Sequence, residues 1–502
     1  MKHWISSAII YQINLRSLAA REPRNAFEAA REKPPALSPL AYAAANLPAI
    51  KKLGVNVLYL MPPYPMGVEG RKGIGSPYSI RDFRGVDPEY GTQDELAEFI
   101  RRAHKLHLRV ILDITPNHTS RDHRWISEHP EFYVKNAQGG IFYDCDWSDT
   151  AKLDYTNPGL RQEMTSVYDH WLGLLGPDAD GRPDGVDGFR LDMAHFINDK
   201  SFWNEAMPKL RAAHPDRELL FLAECYGTQN NIDLFSRGIN AAYDDDFYKV
   251  CQYFYAVSES GSSVILPSPD AEKNPDFLDK YEAFKEGGIA AAMETALLNY
   301  ESILPPGDTA PRLARYTDNH DEGRGAYRFG DDAVRAVNQL VFLSNHCIPF
   351  LLTGEEFGAV NRPSIHGRMH PCDKGRRLAR DGASDHQEGV EFEGNLFARG
   401  VEARAGWYKF FRELILLRLK HKELTRGTFM LLDAEEACDR PSRTVVAFER
   451  RLRRSVLRCA VNLGPEPREL RNAHLFAGEI LHGGLQGNSL PPFSSIVARV
   501  AN

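Results

Sequence analysis

The sequence has no C-x-x-C pair, no basic stripe, no low-complexity tail and no internal repeat longer than a single β-α unit. Its seven cysteines are odd in number and scattered, which argues against both a zinc site and a disulfide framework and makes the cytoplasm the expected compartment. No apolar run reaches the roughly 18 residues of a membrane span. The short apolar run near the N-terminus is broken by Ser6, Ser7, Gln12 and Asn14, so it reads as a first core strand rather than a signal peptide. A net charge of -7 gives nucleic acid nothing to bind. Neither a nucleic-acid nor a membrane partner is expected, and the oligomeric state is open. What remains is a soluble globular composition, 43% hydrophobic and 26% charged over 502 residues, enough for one large domain and smaller additions.

Strand-like and helix-like segments alternate along most of the chain. Ala8 to Leu15, Val55 to Leu60, Arg109 to Ile114, the run around Phe189, Leu219 to Glu224, Asn240 to Asp246, Arg315 to Asp321 and Ile348 to Glu355 read as strands. Helical patterns lie between them. Ser38 and Pro39 open one that stops at Gly54; others are Gln93 to Leu106, Pro158 to Leu175, Asp199 to His214, Ile289 to Ile303 and Ala333 to Asn345. Eight such units predict an α/β fold, a closed (β/α)8 TIM barrel over residues 1–118 and 158–422. The polar, aromatic stretch 119–157 is too long for a connection and is expected to be a small inserted subdomain after strand three. Ser258 to Pro275 and Asn361 to Arg399 read as loops, and Trp407 to His421 as an amphipathic helix. Residues 423–502 alternate in short runs and are expected to form a C-terminal all-β sandwich domain.

The stretch Gly185 to His195 holds Arg190 and Asp192 at the end of an apolar run. Residues two apart on a strand share a side, so the guanidinium would lie beside the carboxylate and favour its ionised form. The pair alone is either a structural ion pair or an activated nucleophile. The other strand ends supply Asp113, Asn117 and His118, then Glu224, then His320 and Asp321. Crowded carboxylates repel, so at least one should hold its proton near neutrality, and an ionised carboxylate beside a protonated carboxyl is the requirement of retaining glycoside hydrolysis. Clusters of Asp, Glu and His also suit divalent metals, but Arg190 would repel a cation at the centre.

These strand ends resemble the four motifs of the α-amylase family, glycoside hydrolase family 13. Asp113-Ile114-Thr115-Pro116-Asn117-His118 is similar to the first, Gly188-Phe189-Arg190-Leu191-Asp192 to the second, Leu222-Ala223-Glu224 to the third and Thr317-Asp318-Asn319-His320-Asp321 to the fourth, in the family's order. Tyr11-Gln12-Ile13, Gly54-Val55-Asn56 with Pro62, Asp87 to Thr92 and Gly354-Glu355-Glu356 add to the likeness. The resemblance implies Asp192 as nucleophile, Glu224 as general acid/base, Asp321 as transition-state stabiliser and Arg190 as the group that orients Asp192. It also implies His118 and His320 on sugar hydroxyls and Tyr78 stacked on the sugar ring. The expected reaction is retaining hydrolysis of, or transfer from, α-glucosidic bonds in oligosaccharides or α-glucans. A non-catalytic carbohydrate-binding or scaffold protein on the same fold is the alternative.

The chain departs from the family in two places. Pro77-Tyr78-Ser79 replaces the Gly-Tyr-Asp of many α-glucosidase-like members, which weakens the expectation of exo-glucosidase action. Met193-Ala194-His195 follows Asp192 where α-amylases often carry a Lys-His pair, so His195 either lines an acceptor subsite or packs. Phe142, Tyr143, Trp147 and Tyr226 are candidate sugar platforms or ordinary packing. The chemistry requires no cofactor. The resemblance adds the option of a calcium ion bound by Asn117, with Asp154 as its partner.

Overall fold

The computed structural model describes residues 3–19, 37–72, 75–178, 181, 183–258, 260, 262–265, 287–301, 303–305, 307–360, 406–433 and 443–501. Eight parallel strands close into a barrel: β1 (Ile10–Ile13), β2 (Val57–Leu60), β3 (Arg109–Ile114), β4 (Gly188–Leu191), β5 (Leu220–Ala223), β6 (Ala241–Tyr243), β7 (Arg312–Arg315) and β8 (Cys347–Leu352). They follow one another around the wall in chain order, and β8 pairs back onto β1. The strands are buried on both faces, which is why they read as continuous apolar runs rather than alternating ones.

Local chemistry sets the helix limits. In α1 (Pro39–Leu53), the Ser38 side chain accepts from Ala41 N, Pro39 stands at the first helical position, and left-handed Gly54 ends the helix. Helix α2 (Gln93–Lys105) starts with a complete capping box between Thr92 and Glu95. Helices α3 (Pro158–Leu172) and α4 (Ser201–Ala213) flank β4, and α5 (Thr228–Ser236) follows β5. The sixth strand ends sooner than its sequence suggests. Asp244 accepts a hydrogen bond from Phe247 N and opens α6 (Asp245–Phe254), a helix that the acidic run Asp244-Asp245-Asp246 signals as a cap and first turn. After it, Tyr255–Val257 pairs antiparallel with Ser263–Ile265, where a loop is expected. Helices α7 (Gly288–Leu298), α8 (Asp331–Leu343) and α9 (Trp407–Lys420) complete the set that bears on the site. The loop expected at Asn361 to Arg399 lies outside the described residues.

Between β3 and α3, His118–Ser120 pairs antiparallel with Thr150–Lys152. At the C-terminus, β9 (Thr428–Leu431), β10 (Val445–Leu452), β11 (Ser455–Asn462), β12 (Glu479–Gly483) and β13 (Ser495–Val500) form one antiparallel sheet in the order β9-β10-β11-β13-β12. Its two faces separate by strand alternation. Val446, Phe448, Leu457, Cys459 and Val497 join the core of the barrel, while Val445, Ala447, Val456, Ala460 and Ala498 pack under Leu470, Phe476 and Leu490. The second layer is thus a cover of short segments with one two-stranded ladder, Arg468–Glu469 with Ser489–Leu490.

Candidate active site

The register of three strands builds the centre of the site. Asp113 on β3 pairs with Arg190 on β4, which pairs with Leu222 on β5. The ladder continues past the strand ends, since Asp192 N donates to Ile114 O and Glu224 N to Leu191 O. Gly188 permits this approach. Its φ is +151°, and a Cβ there would sit 1.9 Å from Leu220 O on the next strand.

Arg190 is fully buried and holds the carboxyls together. Nη1 donates to Asp192 Oδ1 at 2.7 Å and to Asp113 Oδ1 at 3.0 Å. Nη2 lies 3.0 Å from Glu224 Oε2, a charge contact off the hydrogen-bond direction, and 4.0 Å from Asp321 Oδ2. The rings of Tyr78 and Tyr243 lie 5.6 and 5.5 Å from the guanidinium carbon, so aromatic faces cover the charge that the carboxylates do not. Four carboxyl groups around one cation cannot all ionise cheaply. Burial raises Asp113 to about 6 against the pull of Arg190, Tyr59 and Tyr78. For Asp192, burial and then the charge of Glu224 push the carboxyl well above the ordinary range, with Arg190 opposing both. The guanidinium therefore orients Asp192 but does not by itself outweigh burial, contrary to the expectation from the sequence.

Glu224 is fixed by backbone strain. Met193 adopts φ +46°, a left-handed conformation rare for its type, and this aims its N–H at Glu224 Oε2 at 2.9 Å. The other oxygen, Oε1, accepts from Tyr226 OH at 2.6 Å. His320 is pinned from both sides: Gln12 Nε2 lies 2.7 Å from Nδ1, and Tyr78 OH lies 2.5 Å from Nε2, which is also 3.1 Å from Asp321 Oδ2. Asp321 is the most open of the four carboxyls, its side chain 40% exposed. The Tyr78 ring stacks on His320 at 5.7 Å, and its hydroxyl donates to Asp113 at 2.9 Å. His118 is buried, and burial lowers it to about 4, so it is a neutral imidazole. Asn117 Nδ2 lies 3.2 Å from its Nδ1, which leaves Nε2 to carry the proton; Nε2 has no hydrogen-bond partner among the described residues. His195 turns its ring edge-on to Phe196 and Tyr226.

Asn117 and Asp154 do not form the expected calcium pair. Asp154 Oδ1 accepts from Thr156 N, Thr156 Oγ1 and Asn198 Nδ2, a local turn that takes its carboxylate away from Asn117. Asn117 instead bonds Asp144, and the ammonium of Lys152 lies between them: Nζ is 2.7 Å from Asn117 Oδ1, 2.7 Å from Asp144 Oδ2 and 2.8 Å from Phe196 O. A cation is already part of the chain at this place, so the donor set does not fit calcium. Among the described residues, no group of three or more His, Cys, Asp or Glu is arranged to hold a metal ion.

Several of these contributors escape a reading of the sequence. Tyr59 donates to Asp113 Oδ2 at 2.5 Å, and only its place as the one polar group in an apolar strand hints at this. Lys152 was more legible, since a lysine inside the short run Thr150-Ala151-Lys152-Leu153 needs a buried partner. Glu322, raised to about 7 chiefly by burial and bonded to Tyr248 OH, stands next to Asp321 without being part of the motif.

With this geometry in view, the likenesses to known proteins are specific. A family profile described as "Alpha amylase, catalytic domain" matches residues 43–138 and 127–395. The chain is 23% identical over 512 residues to a protein named alpha-amylase 3 from Dictyoglomus thermophilum, covering 95% of this chain and 88% of that protein. It is 34% identical over 205 residues to an alpha-1,4-glucan:maltose-1-phosphate maltosyltransferase from Rhodospirillum rubrum, covering 37% of this chain and 28% of that longer protein. Among solved structures, an alpha-amylase from Lactobacillus plantarum superposes with a TM-score of 0.69 at 23% identity over the whole of both chains, a likeness of fold. The profile spans most of the barrel and all four motif-bearing strand ends, and on that match the chain belongs to the α-amylase family and is a glycoside hydrolase.

Proposed function

We propose that Asp192 and Glu224 carry out retaining cleavage of α-glucosidic bonds in glucose oligosaccharides or α-glucans. The observation that carries this reading is the attachment of both carboxyls to one guanidinium, on adjacent strand ends. Such close spacing suits the retaining arrangement, in which the two carboxyls stand about 5–5.5 Å apart. Asp192 Oδ attacks the anomeric carbon while Glu224 gives a proton to the glycosidic oxygen, and the leaving sugar departs. Glu224, now a carboxylate, then takes a proton from water or from a sugar hydroxyl as that oxygen displaces Asp192. Arg190 keeps Asp192 aimed in both steps. Asp321 and His320 face the hydroxyls of the sugar under attack, and His118 Nε2 offers a further donor.

Calcium is not needed in this scheme, because the Lys152 ammonium supplies the positive charge between the barrel and the 119–157 segment. The catalytic assignment is tested by Asp192→Asn, which keeps the shape and removes the nucleophile. Turnover of α-glucosides is expected to fall by about 10⁴-fold or more with the melting temperature nearly unchanged. Activity within tenfold of the parent would remove Asp192 from the role. Proton NMR of the first product from the active enzyme should show the α-anomer; the β-anomer would exclude retention.

A further inference from the structure

Strand β1 reads Ile-Tyr-Gln-Ile, and the amide of Gln12 on it is completely buried. Burying a primary amide among apolar residues costs free energy unless its polar atoms find partners. Gln12 Nε2 lies 2.7 Å from Nδ1 of His320, a residue that follows β7, two strands round the barrel from β1. Gln12 Oε1 has no hydrogen-bond partner among the described residues. The amide is thus satisfied at one end only, and its partner there belongs to the site rather than to the core.

A second buried path fixes the spacing of the two residues. Gln12 O accepts from Thr353 N at 3.0 Å and also from Thr353 Oγ1. Thr353 O accepts from Arg324 Nη2 at 2.6 Å, and Arg324 Nη1 donates to Asp318 Oδ2 at 2.9 Å, two residues before His320. Thr353, Arg324 and Asp318 are all buried. The backbone of Gln12 and the segment that carries His320 are therefore tied together apart from the contact of their side chains, which preorganises that contact.

The other ring nitrogen shows which way the proton must lie. Tyr78 OH donates to Asp113 Oδ2 at 2.9 Å, so it turns a lone pair toward His320 Nε2 at 2.5 Å. Asp321 Oδ2 lies 3.1 Å from the same nitrogen. Both neighbours accept, and Nε2 is the nitrogen that carries the proton. A neutral imidazole protonated there has a bare lone pair at Nδ1, which the N–H of an uncharged amide satisfies without favouring a second proton.

We propose that Gln12 is a positioning residue for the reaction: by donating to Nδ1 it holds His320 as the neutral Nε2–H tautomer, whose proton is aimed at Asp321 and the sugar hydroxyls. The inference rests on the roles assigned above to His320 and Asp321. Gln12 itself touches neither substrate nor reacting atom. In the opposite tautomer the Nε2 lone pair would face the oxygens of Asp321 and Tyr78, and the ring would lose its hold on both.

Nitrogen-15 NMR of histidine-labelled enzyme tests this, with the His320 ring signals identified by their loss in His320→Asn. The parent at neutral pH is expected to show a protonated Nε2 and an unprotonated Nδ1; a proton on Nδ1, in the other tautomer or in an imidazolium, overturns the proposal. Gln12→Glu puts an isosteric acceptor in place of the donor and should add a proton at Nδ1. Fluoride release from α-maltosyl fluoride should then fall about 10²-fold per folded molecule. Gln12→Met keeps the bulk without a donor and should cost about tenfold. Full turnover in both variants overturns the proposal whatever the ring signals show, and if neither variant folds the spectrum of the parent decides alone. Absence of fluoride release from the parent would overturn the catalytic reading itself, while its ring signals would still report whether Gln12 sets the tautomer.

Discussion

Lys152 puts a positive charge where the resemblance led us to expect a metal ion. Its ammonium has three oxygen partners, Asn117 Oδ1, Asp144 Oδ2 and Phe196 O, all within 2.8 Å. Removing it would leave Asp144, only 16% exposed at its side chain, without its counter-charge. Lys152→Met is expected to cost about 2–4 kcal/mol, the upper part of the range for breaking a partly buried pair, read as a lower midpoint in thermal or urea unfolding. The parent enzyme should keep both its melting temperature and its turnover after exhaustive dialysis against a chelator. A loss restored by calcium would overturn the lysine's role. At this scale the sequence was informative where a residue belongs to a motif and uninformative where a contact crosses between segments. Asp192 and Glu224 could be named because each directly follows the last residue of a strand, and Asp321 because it closes the motif Thr317 to Asp321, which lies past the end of β7. Tyr59 under Asp113 and Asp144 against Lys152 depend on side chains that are distant or differently turned, and no spacing rule reports them. Asp154 shows the converse: Thr156, two residues on, captures its carboxylate locally.

Strand β4 places both Arg190 and Asp192, and its own position depends on Gly188. A Cβ at 188 would meet Leu220 O at 1.9 Å, with Leu220 C and N at 2.7 and 2.8 Å, all backbone atoms of β5 that cannot turn aside. Gly188→Ala should therefore separate β4 from β5, costing about 3 kcal/mol or more. Because those two strands carry Asp192 and Glu224, activity per folded molecule should fall as well. A variant that melts like the parent and keeps full turnover would contradict this account. The barrel strands were legible from runs of Val, Ile, Leu and Phe that needed no alternation, and α1 from Ser38, Pro39 and Gly54, whose capping roles are local. Helix α6 was missed because Asp244-Asp245-Asp246 reads equally as the polar end of a strand. The competition is decided by the Asp244 side chain, which accepts from Phe247 N, and by Arg315, which donates to its other oxygen at 2.7 Å.

The barrel and the C-terminal sheet meet at the end of α8, where four backbone carbonyls would otherwise be buried without partners. Arg418 from α9 donates to Phe342 O at 2.5 Å, Arg450 from β10 to Leu343 O at 3.1 Å, and Arg315 from β7 to Asn345 O at 2.8 Å; Ser344 Oγ donates to Val341 O at 3.0 Å. Three arginines from three parts of the chain thus converge on the negative end of one helix dipole. Burial and mutual repulsion lower the proton affinity of Arg418 and Arg450, and the carbonyls oppose that cost. Arg450 also donates to Gly427 O at 2.9 Å and Thr428 O at 3.3 Å, so it joins α8 to the first strand of the sheet. Replacing a buried ion by an apolar side chain is often neutral when its partners are removed with it. Here the carbonyls stay, and Arg450→Met leaves those of Leu343, Gly427 and Thr428 without that donor. A loss of about 2–4 kcal/mol is expected. Since the same clamp couples the sheet to the barrel, the parent should unfold in one calorimetric transition. Arg450→Met should either lower that transition as a whole or let the sheet melt ahead of the barrel. A variant with an unchanged melting curve would show that the apolar face of Val446, Phe448, Leu457 and Val497 holds the sheet in place without the arginine.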